Sequence, residues 1–247
     1  PMVRKGDTVK IAGDYQYKAL VEGNAVQRMW HLSKQLAIEA LMPPQKGDKV
    51  VDVGCGSGVI SSFLGTFGAE VLGVDGNPDA IQFAHHRYAN DHVNFLLGLV
   101  DESFGESGSF DKIYCLEVIE HLPLDQGRKM LSVFHNLLVP GGKVFLTTPN
   151  YRSAWIVIEW LMDKLHLAPP LKEHQHVEWY HKKKLAKLAE ESGFKVEKMR
   201  SNCFFSPWVA PLSWNFAKRL ACSELNLAGC WGSVLVAVLS KRDHEHE

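Results

Sequence analysis

Residues 49–67 read KVVDVGCGSGVISSFLGTF, a buried strand followed by a glycine-rich turn and a helix. The apolar run KVVDV predicts the strand. The glycines at positions 54, 56 and 58 predict a turn whose backbone comes close to a ligand, because side chains there would block the approach. A dinucleotide-binding turn follows G-x-G-x-x-G, but Val59 stands where its third glycine belongs. The stretch therefore predicts a site for a nucleotide derivative and argues against a dehydrogenase.

Strand and helix patterns alternate along the rest of the chain. Apolar residues at helical spacing predict a helix over residues 25–42, which ends before Pro43 and Pro44. Downstream, the pattern predicts strands at 69–75, 93–99, 110–117, 143–150, 194–200 and 231–239, and helices at 78–90, 124–138 and 181–192. Such alternation is typical of a parallel sheet covered by helices. We therefore predict an α/β fold with a doubly wound, mostly parallel, seven-stranded sheet.

The sequence predicts one domain with small additions. Its parts are an N-terminal helical extension (1–44), a cofactor-binding half (45–150), an inserted cap (151–180), a second half of the same domain (181–240) and a polar tail (241–247). The cap is predicted from SAWIVIEWLMDKLHLAPP, residues 153–170, which is too apolar for a solvated helix. It would cover the core, a second copy of the chain, a hydrophobic substrate or a bilayer surface, and the sequence leaves these four open.

Composition indicates which partners and which cellular compartment to expect. The 27 basic and 28 acidic residues leave a net charge of −1, which disfavours nucleic acid as a partner because no charge excess is present to hold a phosphate backbone. The five cysteines form no CxxC pair and suit reduced thiols. No signal peptide or membrane-spanning run is recognisable. We expect a cytoplasmic protein, and peripheral membrane contact through residues 154–167 and a homodimer stay open.

Polar side chains follow two predicted strands at their carboxyl ends, where open α/β sheets bind ligands. Asp75 ends the second strand, and its carboxylate can accept two hydrogen bonds from ribose hydroxyls. Glu117, Glu120 and His121 follow the fourth strand, and their offsets of three and four would let one helical turn bring them together. Two carboxylates and an imidazole could hold a divalent cation. Alternatively, His121 is a general base, or the three side chains are structural.

Four motifs in this order resemble the class I S-adenosylmethionine-dependent methyltransferase family over about residues 45–240: VDVGCGSG, Asp75 in GVDGNP, Glu117 in CLEVIEH, and LVPGGKVFLTTPN. The resemblance implies S-adenosylmethionine as cofactor and S-adenosylhomocysteine as product. It implies that residues 54–58 lie against the methionine moiety, that Asp75 binds the ribose, and that the adenine lies near the residues after Asp75 and after the third strand. The implied cofactor-binding set is Asp52, Gly54, Cys55, Gly56, Gly58, Asp75, Gly76, Val100, Asp101 and Leu116.

The segment CLEVIEH also resembles the E-x-x-E-H motif of two metal-assisted groups of methyltransferases. These are the ubiquinone-biosynthesis O-methyltransferases of the type 11 branch and the small-RNA 3′-end 2′-O-methyltransferases. Both add a histidine from a later loop, for which His176 or His174 in EHQHVEW is available, and we choose His176. The resemblance thus implies a catalytic set of Glu117, Glu120, His121 and His176 that holds Mg, Mn or Zn. A metal would lower the pKa of the methyl acceptor; without one, His121 or His176 would be the general base.

The apolar cap and the ubiquinone-type resemblance favour O-methylation of a hydrophobic small molecule, such as a quinol, a phenol or a lipid-like acceptor. Two alternatives stay open. An RNA 2′-O-methyltransferase would need basic residues at its mouth, and the cluster Lys182, Lys183, Lys184 and Lys187 is more typical of a solvated helix face. A non-catalytic, cofactor-binding member of the fold would have no need for the Glu117, Glu120 and His121 group beside the cofactor-binding residues.

Overall fold

A computed structural model of the chain describes residues 12–153, 177–227 and 231–242. Its strands are β1 (Lys49–Val53), β2 (Glu70–Asp75), β3 (Val93–Leu97), β4 (Phe110–Leu116), β5 (Leu138–Pro149), β6 (Phe194–Asn202) and β7 (Val234–Lys241). They form one seven-stranded sheet in the order β3-β2-β1-β4-β5-β7-β6. Strands β1 to β5 are parallel, and β7 is antiparallel to both of its neighbours. The predicted doubly wound, mostly parallel α/β sheet is confirmed.

Helices cover both faces of this sheet. They are α1 (Tyr15–Val21), α2 (Ala25–Leu41), α3 (Val59–Gly65), α4 (Pro78–Tyr88), α5 (Leu124–Leu137), α6 (Lys182–Glu191), α7 (Ser206–Val209) and α8 (Trp214–Leu227). The sequence pattern predicts all of these except α1, α7 and α8. Helices α1 and α7, of seven and four residues, are too short to show a helical period.

Two hydrophobic clusters fill the space between the sheet and its helices. One packs the sheet against α5 and α6 and includes Phe134 and Leu185. The other packs it against α2 and α3 and includes Ile38 and Leu64. Because both faces are covered, the inner strand β1 is buried from Val50 to Val53.

The predicted parts of the chain meet in this single sheet. Strands β1 to β5 come from residues 45–150 and strands β6 and β7 from the later half, so the two halves share one core. Lys241 pairs with Phe194 at the end of β7, so the polar tail begins one residue later than predicted. Residues 154–176 of the predicted cap and residues 243–247 lie outside the described residues. None of the helices in the described ranges combines the length and the apolar character that crossing a bilayer requires.

Gly58 connects the turn after β1 to α3 and takes a left-handed conformation, with φ of 77°. A Cβ atom there would lie 2.8 Å from the Cβ of Ala84 and from the ring of Phe95, so α4 and β3 pack directly on the turn. Gly47 has a left-handed φ of 86° as well, yet a Cβ atom there would meet nothing within 4 Å.

We predict that Gly58→Ala lowers the free energy of unfolding by about 2 kcal/mol more than Gly47→Ala does. Both substitutions put an L side chain into the left-handed region, but only Gly58→Ala also overpacks its surroundings. Chemical denaturation of the two variants measures the difference, and an equal loss in both would contradict the close packing on Gly58.

Candidate active site

A cavity of about 310 Å³ lies at the carboxyl ends of β1, β2 and β4. The strand order reverses between β1 and β4, and open α/β sheets bind ligands at such a point. Its wall comes from α1, from the residues just before α1, and from the turns after the first four strands. The lining residues are Ala12, Gly13, Tyr15, Gln16, Val53, Gly54, Gly56, Ser57, Val74, Asp75, Gly76, Asn77, Ala80, Gly98, Leu99, Val100, Glu117, Val118 and His121.

The carboxylate of Asp75 joins the turn after β1 to the end of β2. Its Oδ2 accepts a hydrogen bond from the N–H of Gly56 at 2.8 Å, and its Oδ1 accepts one from the N–H of Asn77 at 2.8 Å. Carboxylate oxygens have further acceptor capacity, so these two bonds leave room for ligand hydroxyls. Asn77 also caps α4, because its side chain accepts a hydrogen bond from the N–H of Asp79 at 3.0 Å.

Half of the predicted cofactor residues line the cavity: Gly54, Gly56, Asp75, Gly76 and Val100. Three others support the turn from behind. Asp52 is buried and accepts a hydrogen bond from Ser61 Oγ at 2.6 Å, and burial raises the pKa of its carboxyl to about 7. Cys55 is also buried, and Gly58 packs against α4 and β3. These three residues shape the turn and do not form the cavity wall.

Two further predicted positions differ from the structure. Leu116 is buried in the core cluster beneath α2 and α3, and Val118 forms the cavity wall instead. The exposed Asp101 does not line the cavity, because its Oδ1 accepts hydrogen bonds from the N–H and the Oγ of Ser103 at 2.9 and 2.6 Å. Its carboxylate therefore closes a turn beside the cavity, and the adenine contact predicted for it stays a prediction.

Glu117 follows β4 in a left-handed conformation with φ of 57°, and its N–H donates to the carbonyl of Thr147 at 3.0 Å. Its Oε2 accepts a hydrogen bond from the Nζ of Lys34, a buried residue of α2. Its Oε1 is buried too and has no hydrogen-bond donor among the residues that the structure describes. The ion pair therefore holds Glu117 in the cavity wall and leaves one oxygen available to a ligand.

A single 3₁₀ turn, Ile119–His121, contains two of the predicted catalytic residues, Glu120 and His121, and Glu117 lies two residues before it. His121 lines the cavity together with Glu117. Glu120 is buried outside the cavity wall, and Thr148 Oγ1 donates to its Oε2 at 3.2 Å. Burial and the nearby charge of Glu117 raise the pKa of Glu120 to about 8. The turn therefore brings Glu117 and His121 to the cavity wall and places Glu120 in the core beside them, and the catalytic role of Glu120 stays a prediction.

The predicted metal centre gains no support from this arrangement. Within the described ranges, no group of three or more histidine, cysteine, aspartate or glutamate side chains could hold a metal ion. The Oε2 of Glu117 already pairs with the ammonium of Lys34, so this carboxylate has a positively charged partner within the chain. His174 and His176 lie outside the described residues. The residues that the structure describes therefore do not fit Mg, Mn or Zn.

Among the site residues that the sequence does not predict are Tyr15 and Gln16, which line the cavity, and Lys34. Burial raises the pKa of Tyr15, with Lys34 opposing the shift and Glu117 adding to it. The ring of His31 lies 6.4 Å from that of Tyr15, and burial together with the charge of Lys34 lowers its pKa to about 3. The sequence contains one indication of Lys34: a lysine on the apolar face of the predicted helix α2, where a buried charge needs a partner.

Glu120 gives the site a pH-dependent stability. Because its pKa in the folded protein lies above the ordinary value, the folded state binds the proton more tightly than the unfolded chain does. The protonated carboxyl of Glu120 therefore stabilises the fold fully at a pH below its ordinary pKa. This contribution to the free energy of unfolding is lost as the pH rises toward about 8.

We predict that Glu120→Gln removes this loss, because the amide fills the same space without a charge. The melting temperature of the variant relative to wild type should rise by about 2 °C or more between pH 5 and pH 8, with Glu190→Gln as an exposed control. Calorimetric scans across that range measure it. A difference that does not change with pH would show that Glu120 is not the buried acid described above.

Comparisons with known proteins identify the family of this chain. A family model described as "Methyltransferase domain" matches residues 28–199. A Thiobacillus denitrificans protein named ubiquinone biosynthesis O-methyltransferase is 29% identical over 192 residues, covering 74% of this chain and 77% of the relative. A Xylella fastidiosa protein of the same name is 27% identical over 211 residues, covering 82% of this chain and 78% of the relative.

Solved structures share the fold. The methyltransferase in a complex with the Haloferax volcanii Trm112 methyltransferase activator has a TM-score of 0.64 at 20% identity and covers 96% of this chain and 100% of its own. An S-adenosylmethionine-dependent methyltransferase from Mesorhizobium loti has a TM-score of 0.62 at 17% identity and covers 85% of this chain and 98% of its own. The family match extends over more than half of the chain, from α2 to β6. The chain therefore belongs to the methyltransferase-domain family and is an S-adenosylmethionine-dependent methyltransferase.

Proposed function

We propose that the protein O-methylates a hydrophobic aromatic small molecule, such as a phenol or a quinol, with His121 as the general base. The observation that carries the proposal is the position of His121, which lines the cofactor cavity directly after β4 beside Glu117. The name shared by the relatives from Thiobacillus denitrificans and Xylella fastidiosa supports the choice of an oxygen acceptor.

In this proposal the cofactor extends along the cavity wall. The methionine moiety lies against the glycine-rich turn, the ribose hydroxyls donate to Asp75, and the adenine lies between Gly76 and Val100. Support comes from the lining of the cavity, which contains each of these residues, and from the acceptor capacity left on the Asp75 carboxylate.

The acceptor side of the site carries apolar surface. The N–H groups of Val177 and Glu178 donate to the carbonyl of Glu120 at 2.9 and 3.0 Å, which fixes this segment to the catalytic turn. The ring of Trp179 stacks on Tyr151 with 5.3 Å between centroids, and 63% of Trp179 is exposed. An exposed indole beside the turn suits an aromatic acceptor. Peripheral membrane contact through residues 154–167, a homodimer and a cytoplasmic location stay predictions.

The proposed reaction is a single in-line displacement. A lone pair of the acceptor oxygen attacks the methyl carbon of the sulfonium, and the electrons of the carbon–sulfur bond go to sulfur, leaving neutral S-adenosylhomocysteine. The proton of the acceptor hydroxyl passes to the imidazole of His121 and from there to solvent. The chain positions the two reactants, which removes much of the entropic barrier. No step requires a metal, so chelation should leave the rate unchanged.

We predict that Asp75→Ala weakens the binding of S-adenosylhomocysteine by about tenfold or more, because hydrogen bonds to a charged group are lost. Isothermal titration calorimetry measures the dissociation constant. Asp91→Ala, on an exposed loop, is the control and should bind as wild type does. Unchanged binding in Asp75→Ala would remove the ribose contact from the proposal.

We predict that His121→Ala lowers kcat by about 10² to 10⁴, the usual contribution of a general base, while the affinity for the cofactor changes little. The assay is methyl transfer to a panel of catechols, phenols and quinols, with and without chelator. His85→Ala, an exposed histidine on α4, is the control.

Transfer to an RNA oligonucleotide but to none of the small molecules would contradict the proposed acceptor. Full activity of His121→Ala would contradict the proposed base.

A further inference from the structure

Helix α1 lies over the glycine-rich turn. The N–H of Tyr17 donates to the side chain of Ser57 at 3.1 Å, which ties the helix to the turn. A Cβ atom on Gly56 would lie 2.7 Å from Gln16 Oε1, so the amide of Gln16 packs against this glycine. Gln16 therefore stands where the methionine moiety of the cofactor is proposed to bind.

Two buried oxygens of the same cavity accept no hydrogen bond from any residue that the structure describes. They are Oε1 of Gln16 and Oε1 of Glu117. A buried acceptor without a donor destabilises a fold, and native proteins satisfy nearly all of them. Both atoms belong to lining residues, so a ligand that carries hydrogen-bond donors would satisfy them.

The chemistry of the cofactor indicates which donor this is. The methionine moiety ends in a carboxylate, which only accepts hydrogen bonds, and in an α-ammonium, which only donates them. The adenine amino group belongs to the other end of the molecule. Glu117 already uses its Oε2 for Lys34, which leaves Oε1 for a second cation.

We infer that Gln16 is a cofactor-binding residue whose Oε1, together with Oε1 of Glu117, accepts hydrogen bonds from the α-ammonium of S-adenosylmethionine. The inference rests on the proposed placement of the methionine moiety beside the glycine-rich turn. It gives α1 a direct role in selecting the complete cofactor over shortened adenosine derivatives, because only the complete cofactor brings the ammonium.

Three ligands test this assignment in calorimetric titrations of the full chain. S-adenosylhomocysteine has both the ammonium and the carboxylate, S-adenosyl-3-thiopropylamine has the ammonium alone, and 5′-methylthioadenosine has neither. The variant is Gln16→Leu, which keeps the size of the side chain and removes the acceptor. The matched control is Gln82→Leu, the same change at an exposed position of α4.

Gln16→Leu should weaken binding of the two ammonium-bearing ligands by about tenfold or more and change binding of 5′-methylthioadenosine by less than about threefold. Gln82→Leu should leave all three unchanged. Equal losses for all three ligands would mean that Gln16→Leu only disturbs the packing of α1, and a loss for S-adenosylhomocysteine alone would assign Gln16 to the carboxylate. Either result, or no loss at all, overturns the inference.

A second variant, Gln16→Glu, keeps the test informative if Gln16→Leu does not fold. Its carboxylate still accepts hydrogen bonds from the ammonium, so it should bind S-adenosylhomocysteine at least as tightly as wild type, and a tenfold loss would overturn the inference. Failure of the cofactor site itself has a different signature: wild type would not bind S-adenosylhomocysteine, or Asp75→Ala would bind it unchanged.

Discussion

The ion pair between the buried Lys34 and the partly exposed Glu117 is the interaction on which the geometry of the site depends. It joins α2 to the end of β4, at a residue whose backbone already takes a left-handed conformation. Removal of Glu117 would leave the buried ammonium of Lys34 without its partner, which costs far more than the pair itself contributes. The pair therefore holds the N-terminal helices against the sheet and presents Glu117 to the cavity. It also supplies, from within the chain, the positive charge that a metal would otherwise bring to this carboxylate.

The 3₁₀ turn after β4 gives the neighbouring residues Glu120 and His121 opposite environments. Glu120 enters the core, where burial and the charge of Glu117 favour its neutral form, while His121 stays on the cavity wall. The same sequence motif thus places one carboxylate in the core and one imidazole on the cavity wall. A resemblance based on E-x-x-E-H treats these residues alike, because the motif records their spacing and not the direction of each side chain.

Local patterns account for the parts of the structure that the sequence predicts. KVVDV and the glycines after it predict β1 and its turn because strand period and turn chemistry act over a few residues. Asp75 reaches the cavity for the same reason, since it ends a predicted strand. Lys34 and Glu117 are 83 residues apart in the chain, and no local pattern indicates their contact. Helix α1 is too short to be predicted from its sequence pattern. Its contribution to the cavity wall follows from its packing on the glycine-rich turn.

At two positions the structure places a motif residue away from the cavity wall. Val118 lines the cavity and Leu116 does not, and the carboxylate of Asp101 closes a turn with Ser103. Leu116 ends β4, where a shift of one or two residues changes the face that a side chain occupies.

The most direct test is a crystal structure of the protein with S-adenosylhomocysteine, grown in millimolar Mn²⁺ and measured at the manganese absorption edge. The account predicts the ligand in the cavity above β1, β2 and β4, the Lys34–Glu117 pair intact, and no anomalous peak at Glu117. A manganese ion held by Glu117, Glu120 and His121, with Lys34 displaced, would contradict it.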